Sequence, residues 1–131
     1  MRLKVLTIAA LAGVAAAGPA RAEYPWWVIG QHDLNVEGDG RQVIAVGSAK
    51  SFFAVRICVT RQPILIHQVD VRFRGGGSRT YPLGWTLQNQ RCTGDIALSG
   101  AESARQLAEV TVYYNPAGLS HRGARLQIHG R

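Results

Sequence analysis

Three arginines crowd one glycine turn, and they are the densest concentration of chemistry in this sequence. Arg72 and Arg74 precede Gly75, Gly76 and Gly77, and Arg79 follows Ser78. A guanidinium grips carboxylate, sulfate or phosphate through two parallel hydrogen bonds, and glycine-rich backbone can aim amide groups at an anion. On a strand, Arg72 and Arg74 share parity and leave on the face opposite Val71 and Phe73. If the turn folds back, Arg79 on the return strand joins them. The same residues also suit a plain solvated hairpin, where glycine permits positive φ and arginine keeps a sheet edge soluble. Asp70, of the same parity, would then neutralise part of the cluster. A second set is aromatic: Trp26 and Trp27 follow Tyr24-Pro25, and Tyr81 and Trp85 flank Pro82-Leu83-Gly84. Exposed rings stack on sugars, and buried ones fill the core of a small domain.

Other chemistries find less support. His32, His67, His121 and His129 are scattered, with no pair at the ligand spacing of zinc motifs, so no metal or cofactor is expected. Gly-x-Ser-x-Gly is absent. Asp70 and Asp95 are the conceivable carboxylate pair for glycoside cleavage, but alternation turns Asp70 outward beside Arg72. No catalytic residue is assigned.

The elements that must position these residues read as strands. Apolar residues alternate at Phe53, Val55, Ile57 and Val59, at Val69, Val71 and Phe73, at Val110, Val112 and Tyr114, and at Ala124, Leu126 and Ile128. Shorter stretches of the same character lie at 27–29, 43–46, 80–87 and 95–99. Glycine, proline, asparagine and aspartate clusters separate them. The expectation is an all-β fold, an antiparallel β-sandwich of about eight strands. Residues 101–108 carry a weak helical signal, with Ser99 and Glu102 resembling a capping box, but a loop leading into a strand fits better. One pattern recurs: Ile66-x-x-Val69-x-Val71-x-Phe73 is matched by Leu107-x-x-Val110-x-Val112-x-Tyr114. In both, a three-residue step breaks the parity, which a β-bulge or a bend between sheets would absorb. If the repeat is more than chance, it predicts two similar three-strand units packed face to face.

Residues 1–22 have the organisation of a cleavable signal peptide. Arg2 and Lys4 form a positive end, residues 5–17 are apolar, and Ala20-Arg21-Ala22 is a peptidase site. The apolar run is about 13 residues, short of the roughly 20 a spanning helix needs, so no transmembrane anchor is expected after cleavage. The domain then runs from 23 to 131. The whole chain's 15 basic residues become 12 against 8 acidic ones in this domain, and the formal charge falls from +7 to +4. That charge is spread along the chain rather than gathered into the dense stripe of a nucleic-acid binder, so no nucleic-acid partner is expected. In an exported domain, Cys58 and Cys92 suggest a disulfide; the alternative is two buried thiols. A closed loop of roughly 35 residues gives about 3.8 kcal/mol in the chain-entropy account.

The signal peptide, Phe53-x-Val55-x-Ile57-x-Val59, Val69-Asp70-Val71-Arg72-Phe73 with its glycine turn, Arg91-Cys92-Thr93-Gly94-Asp95-Ile96-x-Leu98-Ser99-Gly100 and Ala124-x-Leu126-x-Ile128-x-Gly130 resemble a family of small exported bacterial proteins of uncharacterised function. The resemblance implies a periplasmic or secreted β domain and transfers no functional residues. The functional expectation is a non-catalytic binding or interaction domain of the cell envelope, meeting an anionic envelope polymer or a protein partner. A structural or stress-related envelope protein is the alternative, and an envelope hydrolase has the least support. If export and cleavage proceed as read, mass spectrometry of the mature protein should find Glu23 as its first residue; an intact Met1 form confined to the cytoplasm would refute the reading.

Overall fold

Alternating burial sorts the chain into two sheets. The computed structural model describes residues 25–35, 37–98 and 104–131; the signal segment, the cleavage site, Tyr24, Ser99 and Glu102 lie outside them. Ten strands are present among the described residues. They are β1 (Trp27–Leu34), β2 (Arg41–Ala45), β3 (Ser51–Phe52), β4 (Ala54–Thr60), β5 (Ile64–Phe73), β6 (Ser78–Leu87), β7 (Arg91–Cys92), β8 (Ile96–Ala97), β9 (Arg105–Tyr114) and β10 (Ala124–Gly130). Sheet one runs β2-β9-β5-β6, with β3 also paired to β9; sheet two runs β1-β10-β4-β7, with β8 also paired to β4. Every pairing is antiparallel. The two inner faces meet in one apolar core, which includes Phe52, Ile57, Ile66, Leu98, Leu107, Leu126 and Ile128. The expected all-β sandwich is therefore present. The strands beyond the expected eight are the two-residue pieces β3 and β7.

The parity breaks at Ile66 and Leu107 are bulges. Along β5 and β9 the register steps from Leu107↔Phe73 to Glu109↔Arg72, and from Tyr113↔Gln68 to Tyr114↔Ile66. The unpaired residues are Ala108 and His67, which hold the same place in the two copies of the pattern. Each bulge lets residues three apart point inward, and Ile66, Val69, Leu107 and Val110 are all fully buried. The repeat does not build two units facing each other across the core, however. Its two long strands are neighbours in sheet one. Its last strands also differ, because their turns differ. Gly75, Gly76 and Gly77 all take positive φ, from 85° to 109°, and return the chain tightly beside β5 as β6. After β9, a short 3₁₀ turn (Pro116–Gly118) begins a longer connection with Leu119 buried in the core, and this carries β10 into sheet two.

A second departure lies at Phe53, which the alternation placed inside. It is 46% exposed, and Phe52 is buried instead. The chain changes sheets here, from β3 on β9 to β4 on β10. Phe53 N–H and Ala54 N–H both donate to Arg131 O, at 2.7 and 3.1 Å, so Phe53 is the corner and not a core position. At the other uncertain segment, Arg105 onward is strand, as expected.

Leu107 sits at a bulge on the central strand of sheet one with no solvent exposure. Leu107→Ala should lower the unfolding free energy by about 3 kcal/mol in a denaturant titration. A loss below about 1 kcal/mol would mean that the bulge is not part of the rigid core.

Candidate functional site

Strand direction gathers a set of side chains at one end of the sandwich. β5 ends there at Phe73 and β9 begins there at Arg105, because Leu107 pairs with Phe73. β3 joins them through Arg105↔Phe52. In sheet two, β10 ends there and β1 begins there through Gly130↔Trp27, while Gly130↔Val55 brings in the start of β4. The segment between β2 and β3 closes over the gap, with Gly47 N–H on Ile29 O and Gln106 Nε2 donating to Ala49 O at 2.6 Å. The end therefore carries Lys50, Arg56, Arg74, Arg105 and Arg131 with Trp26, Trp27 and Phe53.

These groups stack on one another. Lys50 Nζ lies 4.4 Å from the centre of the Trp27 ring. The Trp26 ring lies against two guanidinium groups, Arg56 at 4.3 Å and Arg131 at 4.7 Å. Arg105 lies 3.9 Å over the Phe73 ring. The rings hold the cations by their electron-rich faces and limit where they point. Arg131 is paired with Asp95 at 2.6 Å. Among the described residues, Lys50, Arg56, Arg74 and Arg105 have no carboxylate within ion-pair distance. At the opposite end Asp33 meets Arg125 at 2.7 Å and Arg61 at 3.7 Å, while Arg91 and Arg122 there also have no carboxylate within ion-pair distance among the described residues. The hydrogen bond from Arg125 holds the Asp33 carboxyl below its ordinary value.

The expected arginine triad does not converge. Arg79 pairs with Val71, so it leaves on the core-side face, whereas Arg72 pairs with Ser78 on the outward face. The tight three-glycine turn fixes this register. Arg72 is bound to Glu109 on β9 at 2.9 Å, and that hydrogen bond lowers the Glu109 carboxyl. Asp70, the expected neutraliser, instead accepts from Gln68 at 3.2 Å. Arg74 donates to Leu107 O at 3.3 Å and stays at the sheet end. A shallow, open depression of about 420 Å³ lies along the glycine turn and reaches Ala108. Arg105 reaches this end of the sheet over the Phe73 ring instead; it was hidden because the β5–β9 register is not local. The aromatic set divides too. Trp26 and Trp27 are at the basic end. Tyr81 packs on the core with its hydroxyl donating to Leu98 O at 3.3 Å. Trp85 is 52% exposed, opposite Ile66, toward the other end of β5.

The outward face of sheet two carries a second cluster. Cys58 and Cys92 are directly opposed on β4 and β7 with Cα atoms 3.9 Å apart, and they form the expected disulfide. The parity conflict between Cys92 and Ile96 is resolved around Gly94. Thr93 turns inward, its N–H donates to Ile57 O, and its Oγ1 accepts from Ile57 N–H at 3.0 Å. His129 Nδ1 is 3.7 Å from Cys58 Sγ and accepts from Arg56 Nε at 3.3 Å, while its Nε2 meets Gln127 Oε1 at 3.1 Å. These contacts fit the neutral ring with its proton on Nε2. Parity alone turned Cys58 and His129 outward, but nothing in the sequence placed them side by side. Among the described residues no cluster of histidine, cysteine or acid suits a metal ion, and no helix is long and apolar enough to cross a membrane.

The sequence profile of a family described as a domain of unknown function (DUF2541) matches residues 4–130, and the chain belongs to that family. No curated protein and no solved structure matches the chain.

Partial burial first, and the Arg56 cation second, push His129 below its ordinary value of 6.5. The unfolded chain therefore holds more protons between the folded value and 6.5. The contribution to stability is complete above 6.5 and lost as pH falls through the folded value. In an NMR titration His129 should protonate below 6.5, and Arg56→Gln should raise its midpoint only part of the way, since burial remains. A midpoint above 6.5 in the wild type would contradict this environment.

Proposed function

We propose that this member of the family is an exported, non-catalytic binding domain of the bacterial cell envelope, periplasmic or secreted, whose basic end holds an anionic polymer. One observation carries the reading: Lys50, Arg56, Arg74 and Arg105 lie at one end without carboxylate partners among the described residues, and aromatic rings hold three of them, Lys50, Arg56 and Arg105. The ligand is extended rather than small because the cations span both sheets and the depression along the glycine turn, which Arg74 lines, is open. Each cation makes a weak, screened contact, and several in a row give useful affinity. Trp27 at 48% exposure and Phe53 at 46% offer ring faces to the polymer's sugar or alkyl units. The disulfide and the signal-like segment support an oxidising compartment outside the cytoplasm.

The test compares sulfated, phosphorylated and uronate polymers with a neutral glucan across a salt series. The wild type should bind the anionic polymers, and less as salt rises. A Lys50→Glu/Arg105→Glu double variant should bind about tenfold or more weakly. Arg122→Glu, at the other end, should bind as the wild type does. Equal affinity of the double variant and the wild type at every salt concentration would overturn the proposal.

A further inference from the structure

The two sulfurs of the disulfide are not equivalent. Cys58 is 7% exposed and lies between β10 and β7; Cys92 is exposed on β7, a two-residue edge strand. Across the sheet, Gln127, Cys58 and Cys92 form one row. Thiol–disulfide exchange needs a thiolate to approach in line with the S–S bond. From the Cys58 side that approach meets β10, with Gln127 and His129. From the Cys92 side it comes from the sheet edge. The flanking Thr93–Ile57 hydrogen bonds do not pass through the sulfurs, so opening the bond does not require opening the ladder.

The surroundings of Cys58 favour it as the sulfur that leaves. Arg56 shares the outward face of β4 with Cys58, two positions away, and is held there by the Trp26 ring and by His129. A cation beside a thiol lowers its pKa, and the sulfur of lower pKa leaves faster. His129, whose Nδ1 accepts from Arg56 Nε and lies 3.7 Å from Cys58 Sγ, keeps that cation beside the sulfur.

We propose that Cys58–Cys92 is a thiol-exchangeable disulfide of fixed polarity, taking electrons from a dithiol reductant that attacks Cys92. The incoming thiolate forms a bond to Cys92 Sγ, the Cys92–Cys58 bond breaks, and its electron pair leaves on Cys58 as thiolate. The second thiolate of the reductant then attacks its partner sulfur and releases Cys92. The protein gains two electrons and the reductant becomes a disulfide. In the reverse direction Cys58 loses its proton to solvent beside the Arg56 guanidinium, and its thiolate attacks the mixed disulfide on Cys92 and releases the reductant's thiolate. This site shares Arg56 with the polymer-binding reading but does not depend on it.

The experiment treats the oxidised protein with glutathione, blocks thiols with N-ethylmaleimide, and maps the modified peptides, with circular dichroism confirming that the sheets persist. Glutathione is expected on Cys92 and maleimide on Cys58. With dithiothreitol, Arg56→Gln should be reduced several-fold more slowly, and Arg56→Lys should recover most of the rate. His129→Ala, which removes the acceptor that holds Arg56 beside Cys58, should slow reduction in the same direction as Arg56→Gln. Glutathione on Cys58, an even distribution, or no exchange until denaturant is added would each overturn the proposal.

Discussion

β5 and β9 pair along most of their length, from Phe73 against Leu107 to Ile66 against Tyr114, with a bulge toward each end. That pairing sets the shape of sheet one. The two bulges let both strands bury residues three apart, so each carries an unbroken apolar row despite its broken alternation. It also fixes which residues reach the strand ends. Had β9 slipped by one residue, its apolar row would face water and Arg105 would lose the Phe73 ring.

Sheet two is organised around β10, which lies between β1 and β4 and ends at Gly130 and Arg131. Gly130 packs where the sheets approach closely: a side chain there would meet the Phe52 ring at 2.8 Å. Arg131 O then receives the N–H groups of Phe53 and Ala54, tying the corner between the sheets to the chain's last strand. The consequence is electrostatic. Strand ends, corners and turns from both sheets meet in one place, and they carry cations held by aromatic faces. The disulfide cluster lies on the same sheet, and Arg56 belongs to both regions: its guanidinium stacks on Trp26 and bonds to His129.

Much of the fold was legible because face alternation is a local signal. The strands around Val55, Val69, Val110 and Leu126, the need for bulges after Ile66 and Leu107, and the reset near Gly94 all follow from parity within a few residues. What failed was non-local. Arg79 was placed with Arg72 because the turn's register was unknown, and a one-residue difference in register reverses the face. Phe53 continued an alternating run, but the run crosses between sheets, and the hydrogen bonds that Phe53 and Ala54 donate to Arg131 O decide that. Arg105 and His129 carried no signal of their own, since their neighbours at the basic end and at the disulfide come from strands distant in sequence. The aromatic residues were found individually, but Trp85 and Trp26 proved to lie in different parts of the sandwich for the same reason.

The sequence has 3 tryptophans, and they sample the surface unequally: Trp26 and Trp27 stand at the basic end, and Trp85 stands on β6 away from it. Their indole N–H resonances report separately in a two-dimensional NMR spectrum. Titration with a sulfated polysaccharide tests most directly whether the gathered cations form the binding surface. The account predicts that the Trp26 and Trp27 signals move in a saturable way, that added salt reverses the change, and that Trp85 stays in place. Movement of Trp85 alone, or no movement of Trp26 and Trp27 at saturating polymer, would contradict it.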